Sequence, residues 1–216
     1  MIEWKVSATP ITLQSAIKMM ERRVLEIHEG KQNQLIWLLE HPHVYSGGTS
    51  SDDSHLLVKS KIPVEVTNRG GSYTYHGPGQ RIIYVMLDLK KQKKDIRKFV
   101  WNLEQWIIDS LKELGVISGR VEKRVGIWVT PEGQQASDHR IKNELKIASL
   151  GLRVKNWISY HGVSLNVNPD LNYFDNIIAC GNHGYGVTSL ENLGVIKSLT
   201  DVDRVLKRKM EILFSE

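Results

Sequence analysis

Hydrophobic residues recur at helical spacing in three parts of the chain. The first helix is predicted over residues 11–28, where Gly30 follows as a stop signal and one face carries Leu13, Ala16, Ile17, Met20, Val24 and Ile27. The second ends before Gly115, a residue type that favours helix C-termini, and its apolar positions are Ile96, Phe99, Val100, Leu103, Trp106, Ile107, Leu111 and Leu114. The third is predicted to begin at Thr200, with Asp203 as its capping-box partner.

Short apolar or alternating runs between these helices predict β-strands. They are Leu35–Leu39, Val64–Thr67, Arg81–Leu89, Gly119–Lys123, Gly126–Val129, Leu145–Val154 and Val163–Val167. The strands and helices do not alternate regularly, and no repeat, low-complexity tract or linker divides the chain. The pattern therefore predicts a single α/β (α+β) domain over residues 1–216, with a mixed β-sheet flanked by helices.

The composition is that of a globular protein, with 41% hydrophobic and 25% charged residues in 216. The longest apolar runs fall far short of the roughly 20 residues that a membrane span needs, which excludes a transmembrane protein. The first residues carry neither the apolar core of a secretory signal nor the pattern of a transit peptide. We therefore predict a soluble, cytoplasmic protein.

A formal net charge of +5 points to acidic partners. The densest run of positive charge lies between Lys90 and Lys98. It predicts either a solvated surface or a docking patch for an acidic protein, in which case charge reversal there would weaken docking of that protein. No zinc-finger spacing or RNA-recognition aromatic signature is present, so binding of nucleic acid is only a weak alternative.

The segment Arg69–Gln80 carries the most chemical information in the chain. It reads R-G-G-S-Y-T-Y-H-G-P-G-Q, with four glycines and one proline between two predicted strands. Glycines allow close approach of the backbone to a ligand, although a loop with demanding turns would need them as well. The segment matches neither the G-x-x-x-x-G-K-[ST] nor the G-x-G-x-x-G phosphate-binding pattern, so nucleotide binding is not supported.

Cys180 is the only cysteine, so neither an internal disulfide nor a cysteine-rich zinc site is possible. Three glycines follow it closely, which favours an irregular loop over a core strand. A thiolate there needs a nearby cation or base, and Lys146, in an apolar strand-like segment, is the candidate. The alternatives are a buried, inert cysteine and a surface lysine on an edge strand. The eight histidines show no metal-ligand spacing, so we predict no metal site.

Several segments together resemble the octanoyl-acyl carrier protein:protein N-octanoyltransferases, also called lipoyl(octanoyl) transferases or lipoate-protein ligase B. They are E-H-P-H-V-Y at Glu40–Tyr45, the Arg69–Gln80 segment, K-I-A-S-L-G at Lys146–Gly151 and H-G-V-S-L-N-V-N at His161–Asn168. Cys180 falls where that family carries its acyl-accepting cysteine. Ala179 departs from the proline that usually precedes it, but the change removes no reactive group.

The resemblance implies a role for each of these segments. Cys180 would be the nucleophile, and Lys146 would lower the pKa of its thiol and later act as an acid and base. The substrate-binding residues would be Arg69, Gly70, Gly71, Ser72, Tyr73, Thr74, Tyr75, His76, Ser149, Leu150, Gly151, Gly162, Val163 and Ser164. The fold implied is that of the lipoate ligase and biotin protein ligase group.

The resemblance also implies the partners. Octanoyl-acyl carrier protein would be the donor, and lipoyl domains of 2-oxoacid dehydrogenase E2 subunits and the glycine cleavage H protein would be acceptors. The enzyme would be a monomer. It would need no cofactor, since the octanoyl group arrives on the carrier's phosphopantetheine and its transfer requires neither ATP nor metal. Two alternatives stay open: an ATP-dependent lipoate–protein ligase of the same fold, and a basic binding module.

Overall fold

The computed structural model describes residues 1–57, 61–92, 94–130, 144–178 and 185–213. The α-helices in these ranges are α1 (Leu13–His28), α2 (Ile96–Glu113) and α3 (Leu199–Leu213). The β-strands are β1 (Ile2–Val6), β2 (Gln34–Leu39), β3 (Val44–Gly47), β4 (Val64–Val66), β5 (Thr74–His76), β6 (Gln80–Met86), β7 (Gly119–Val121), β8 (Arg124–Val129), β9 (Leu145–Lys155), β10 (Ile158–Asn166) and β11 (Gly186–Val187). None of the described helices is both long and apolar enough to cross a bilayer.

A mixed sheet forms the centre of the fold, as predicted. Its strand order is β1-β2-β6-β10-β9-β8-β7, and β11 pairs with β9. β1 runs parallel to β2 and β11 runs parallel to β9, whereas the other neighbouring strands are antiparallel. The β9–β10 hairpin therefore sits beside β6 in the middle of the sheet, and both strands carry predicted site residues.

Helices cover both faces of this sheet. Along β6, Ile82 packs in the cluster that contains the buried face of α1, whereas Ile83 packs in the cluster under α2 and α3. This alternation follows from the opposite directions of successive side chains in a strand. The α1 helix begins at Thr12, whose side chain accepts a hydrogen bond from the Ser15 backbone N–H. The central strands are consequently buried on both faces.

A smaller sheet of order β4-β3-β5 stands beside the main one. β3 pairs parallel with β4 and antiparallel with β5, so that Tyr45 lies opposite both Val64 and Tyr75. The glycine-rich segment Arg69–Gln80 therefore contains a short strand, where the sequence predicted only a loop. This sheet holds the segment against the middle of β9, where the Gly70 N–H donates to the Leu152 oxygen.

The start of α3 differs from the prediction. The helix begins at Leu199, and the capping residues are Ser198 and Asp201 rather than Thr200 and Asp203. The Asp201 N–H donates to Ser198 Oγ at 3.1 Å, and the Ser198 N–H donates to Asp201 Oδ2 at 3.3 Å. Asp203 lies two residues after Asp201 and forms a buried ion pair with Arg81 at 2.8 Å. Its role is therefore to join α3 to β6.

Candidate active site

Arg69 organises the glycine-rich segment from within. Its Nη2 donates to the backbone oxygens of Ser46 and Ser72 at 2.6 and 2.9 Å, and its Nη1 donates to the Gly70 oxygen at 2.9 Å. Its Nε donates to Ser46 Oγ at 3.1 Å. These contacts tie the segment to β3 and leave the guanidinium buried. Arg69 therefore shapes the wall of the site.

Glycine is required where this segment meets the central strands. The Gly70 N–H donates to the Leu152 oxygen of β9 at 3.0 Å. A Cβ at Gly151, on the same strand, would lie 3.0 Å from Arg69 Cδ and 3.1 Å from the Gly70 oxygen. Any side chain at position 151 would push the segment away from the sheet. The two separate sequence motifs thus form one surface.

A pocket of about 500 Å³, its open mouth included, lies between this segment, β9 and β10. Ten of the fourteen predicted substrate-binding residues line it: Arg69, Gly71, Thr74, His76, Ser149, Leu150, Gly151, Gly162, Val163 and Ser164. The other lining residues are Leu13, Ser46, Ile82, Tyr84 and His161, which the sequence did not assign to the site. His161 is the first residue of the H-G-V-S-L-N-V-N motif, and this is the sequence signal from which its place in the site could have been predicted.

The four remaining predicted residues are not among the lining residues of this pocket. Gly70 makes the backbone contact with β9, and Ser72 Oγ lies 3.1 Å from the Nδ1 atom of a neighbouring histidine, His55. Tyr73 donates its hydroxyl to Asp53 at 3.2 Å. Tyr75 points into an aromatic cluster, where its ring stacks on Tyr173 at 4.9 Å. These four residues make contacts with the structure around the pocket, and their role in binding substrate stays a prediction.

Two buried imidazoles, those of His76 and His161, line the pocket, and the buried His41 ring lies behind them, 5.7 Å from the centroid of His76. His41 Nε2 lies 2.6 Å from the Tyr84 hydroxyl, His76 Nδ1 lies 2.7 Å from Gln80 Oε1, and His161 Nε2 lies 3.0 Å from Asn68 Oδ1. Burial lowers the pKa of His41 to about 4 and the pKa values of His76 and His161 to about 3. All three rings are therefore neutral at pH 7.

These imidazoles make folding stability sensitive to acid. Between about pH 6.5 and pH 3 the unfolded chain binds protons that the folded chain does not, so the free energy of unfolding falls as the pH falls. Each ring contributes a loss of about 1 to 2 kcal/mol between pH 7 and pH 5. Burial raises the pKa of Asp203 to about 6, so this carboxyl group opposes the change. It is one group, whereas three imidazoles act in the other direction. We expect a lower urea midpoint at pH 5.

Two histidine variants check this prediction. Replacing buried His41 with glutamine should make the urea midpoint less dependent on pH, because one of the three imidazoles is gone. Replacing exposed His28 with glutamine should leave the pH dependence as it is in the parent protein. Equal midpoints at pH 7 and pH 5 in the parent protein would contradict the assignment of these rings as neutral.

Lys146 is buried at the other end of the site, in β9. Its relative exposure is 7%, a rare degree of burial for a lysine. In the sheet register it lies opposite Trp128 of β8 on one side and Val187 of β11 on the other. Its Nζ lies 4.6 Å from the centroid of the Trp128 ring. The alternative of a surface lysine on an edge strand is therefore wrong.

Cys180 lies outside the described residues, but both flanks of its segment are placed. On the N-terminal side, the Ile178 N–H donates to the His55 oxygen at 2.8 Å. On the C-terminal side, Val187 pairs with Lys146, and the Thr188 N–H donates to the Lys146 oxygen at 3.0 Å. The chain that carries Cys180 therefore returns to the sheet directly beside Lys146.

An aromatic cluster fixes the approach to this segment. Residues 171–176 form a 3₁₀ helix, in which Phe174 meets the Tyr75 ring edge-on at 5.4 Å. The Asn176 side chain donates to the Tyr45 hydroxyl at 2.8 Å, and that hydroxyl donates to the Tyr173 oxygen at 2.8 Å. The small sheet thus holds the chain in place up to Ile178.

One end of the basic segment between Lys90 and Lys98 lies far from Lys146. Lys94 packs over the ring of Trp157, in the turn between β9 and β10, at 5.5 Å from its centroid. Lys146 stands near the opposite end of β9, nine residues before Lys155, which corresponds to about 30 Å along the strand. This geometry argues against the Lys94 end of the segment as the surface that brings a carrier to Lys146.

Charge reversal at that end of the segment is therefore expected to have little effect on catalysis. With Lys91 and Lys94 replaced by glutamate, KM for an acyl donor should stay within about twofold at 0.1 M salt, since Lys94 lies about three Debye lengths from Lys146. Both side chains are exposed, so the fold should be unaffected. A several-fold increase in KM that disappears at high salt would restore the docking interpretation.

The described residues offer no donor set for a metal. Nowhere in these ranges do three or more His, Cys, Asp or Glu side chains come together in a group that could hold an ion. The buried histidines are engaged with Tyr84, Gln80 and Asn68 instead. The described residues of this site contribute a buried amine, neutral imidazoles and backbone N–H groups.

Known proteins share both the sequence and the fold. A family model described as "Lipoyl protein ligase A/B catalytic domain" matches residues 13–211. A protein named octanoyltransferase, from Parvibaculum lavamentivorans, is 48% identical over 98% of this chain and 92% of its own length. Another octanoyltransferase, from Dinoroseobacter shibae, is 44% identical over 99% of this chain and 97% of its own length.

Solved structures extend the likeness to the fold. The bipartite lipoate protein ligase of Thermoplasma acidophilum superposes with a TM-score of 0.71 at 15% identity, over 100% of this chain and 85% of that one. At this identity the match shows a shared fold and no more. It confirms the ligase-like architecture that the sequence resemblance implied.

Proposed function

Because the chain belongs to the octanoyltransferases, within the lipoyl protein ligase A/B catalytic domain family, we propose that it transfers an octanoyl or lipoyl group from acyl carrier protein to a lysine of a lipoyl domain. The acyl group would pass through a thioester on Cys180. The chain is an acyltransferase enzyme by its family; the donor, the acceptor and the intermediate are the proposal. We also propose that it acts in the cytoplasm, as a monomer.

The observation that carries the proposal is the position of β11 beside Lys146. Val187, seven residues after Cys180, pairs directly with the lysine. A buried ammonium next to this segment supplies the cation that a thiol needs to form a thiolate near neutral pH. Neither an inert cysteine nor a purely structural glycine loop requires a buried lysine at this place.

Two displacements complete the transfer. The Cys180 thiolate attacks the octanoyl carbonyl, the new C–S bond forms, and the phosphopantetheine thiolate leaves with a proton from Lys146. The ε-amine of the acceptor lysine then attacks the same carbonyl and gives up a proton to Lys146, and the Cys180 thiolate leaves. The thioester is already activated and the amide is more stable, so no ATP is consumed.

The pocket fits an uncharged acyl chain. Its apolar lining residues are Leu13, Ile82, Leu150 and Val163. The cation among the lining residues, Arg69, already donates to three backbone oxygens and one hydroxyl. A free carboxylate would have to compete with these contacts, whereas a thioester would not. This favours transfer from a thioester over the ATP-dependent activation of a free acid.

Intact-protein mass spectrometry tests the proposal. The protein is mixed with octanoyl-acyl carrier protein without ATP, beside a Cys180→Ala variant. We expect an octanoyl adduct on the parent chain only, and we expect added lipoyl domain to remove it. If octanoylated lipoyl domain forms only from free octanoate and ATP, the chain works as a ligase. If neither route yields product and the protein instead binds acidic partners in a salt-sensitive way, the binding-module alternative holds.

A further inference from the structure

Trp128 forms the wall against which Lys146 rests. Its side chain is 1% exposed, and it stands directly opposite Lys146 in the register of β8 and β9. The distance of 4.6 Å from Nζ to the ring centroid lies within the range in which an aromatic face attracts an ammonium ion. Because both groups are buried, that attraction is less weakened by water than at a surface.

The backbone next to Trp128 is shaped around the lysine side chain. Gly126, two residues earlier, has φ of +133°, a conformation that L side chains rarely adopt. A Cβ at this position would lie 3.1 Å from Lys146 Cε and 3.0 Å from the Ala148 oxygen. The register between β8 and β9 also shifts between Ile127 and Trp128. The strand thus makes room for the lysine stem and brings the indole over its end.

Further contacts hold the indole in place. Its Nε1 donates to the Arg124 oxygen at 3.2 Å, and the Tyr185 ring meets it edge-on at 5.7 Å. The Arg124 guanidinium stacks at 4.0 Å on Tyr185 and pairs with the buried Glu144 at 2.8 Å. Tyr185 is the first described residue after the segment that carries Cys180. The indole therefore links Lys146 to the return of that segment.

We propose that Trp128 is a positioning residue for Lys146: its indole face holds the lysine ammonium at the site where the acyl group is exchanged. Gly126 provides the space that this arrangement needs. The inference rests on the proposed function, since it takes Lys146 as the proton donor and acceptor for Cys180. Trp128 itself touches no reacting atom and acts only through the lysine.

The test compares Trp128→Leu and Trp128→Phe with a matched control, Trp157→Leu. Trp157 is exposed in the turn between β9 and β10, and Lys94 Nζ lies 5.5 Å from its ring centroid, so the control removes the same kind of contact at the opposite end of β9 from Lys146. We expect Trp128→Leu to lower kcat about tenfold with KM for the octanoyl donor little changed. Phenylalanine retains an aromatic face, so Trp128→Phe should lose less activity than Trp128→Leu. It also keeps the proposal testable if the leucine variant does not fold.

Two readouts separate positioning from a merely structural role. The pH profile for alkylation of Cys180 by iodoacetamide should move to higher pH in Trp128→Leu and stay unchanged in Trp157→Leu. The NMR signal of the Lys146 Cε methylene, assigned with Lys146→Arg, should lose its ring-current shift in Trp128→Leu. An unchanged signal would overturn the inference by itself.

The failures of the two hypotheses are distinguishable. If Lys146→Met is inactive while Trp128→Leu keeps the parent kcat and alkylation profile, the positioning role is wrong and the proposed function stands. If Lys146→Met keeps full activity, the proposed mechanism fails. The ring-current shift still reports whether Trp128 holds the lysine in that case.

Discussion

Replacing Lys146 with methionine is expected to slow octanoyl transfer by about 10²- to 10⁴-fold, the range for loss of a positioned acid and base. Methionine has similar length and fits the apolar environment of β9, so the fold should persist. The charge beside the Cys180 segment disappears, and with it the group that supplies and accepts the proton. Steady-state rates of lipoyl-domain octanoylation measure the loss.

Lys146→Arg separates the two displacements. Arginine keeps the positive charge but stays protonated near neutral pH, so it cannot accept the proton of the acceptor amine. A thiolate can leave without taking up a proton, so octanoylation of Cys180 should survive better than discharge of the acyl-enzyme to the lipoyl-domain lysine. Rapid-quench measurements of the two half-reactions would show accumulation of the adduct. Exposed Lys207 on α3, changed to methionine, is the matched control and should leave both steps unchanged.

Sequence reasoning succeeded where one physical signal dominated. The α1 helix follows its apolar stripe, and its predicted positions Leu13, Ala16, Met20, Val24 and Ile27 are indeed its buried face. The β6 and β9 strands lie within two to three residues of their predicted ends because apolar runs define them. The mixed sheet follows from the irregular order of these elements. Local patterns are sufficient for such features because the same residues specify and stabilise them.

It failed where tertiary contacts override the local pattern. The sequence did not predict β1, because hydrophobic and polar residues alternate only weakly along this mostly exposed strand. Its conformation comes from parallel pairing with β2. β3 was missed because four residues carry too little periodicity. β10 begins at Ile158, five residues before the predicted start, because Ser159, Tyr160 and His161 interrupt the apolar alternation. His161 even has φ of +60°, which no strand pattern indicates.

The candidate site shows the same division. The resemblance identified ten pocket-lining residues, since these lie in contiguous motifs. It did not identify Tyr84, whose position in the middle of an apolar strand favours a core residue. It also missed Trp128, which reaches Lys146 only through the pairing of β8 with β9. A cross-strand contact between residues 18 positions apart leaves no local signature in a single sequence.

Replacing Gly162 with alanine should lower the free energy of unfolding by about 3 kcal/mol or more, the upper range for overpacking a core. A Cβ there would lie 2.0 Å from the Ile83 oxygen, a backbone atom of the adjacent central strand that cannot move alone. Gly115→Ala is the control for an added methyl without a clash, because nothing lies within 4 Å of it; its cost comes from the φ of +88°, a strain that Gly162 does not have. It should cost only about 1 to 2 kcal/mol. Urea midpoints of the two variants measure the two losses of unfolding free energy. Equal losses would mean that β6 and β10 separate easily at Gly162, which would contradict a rigid pocket wall there.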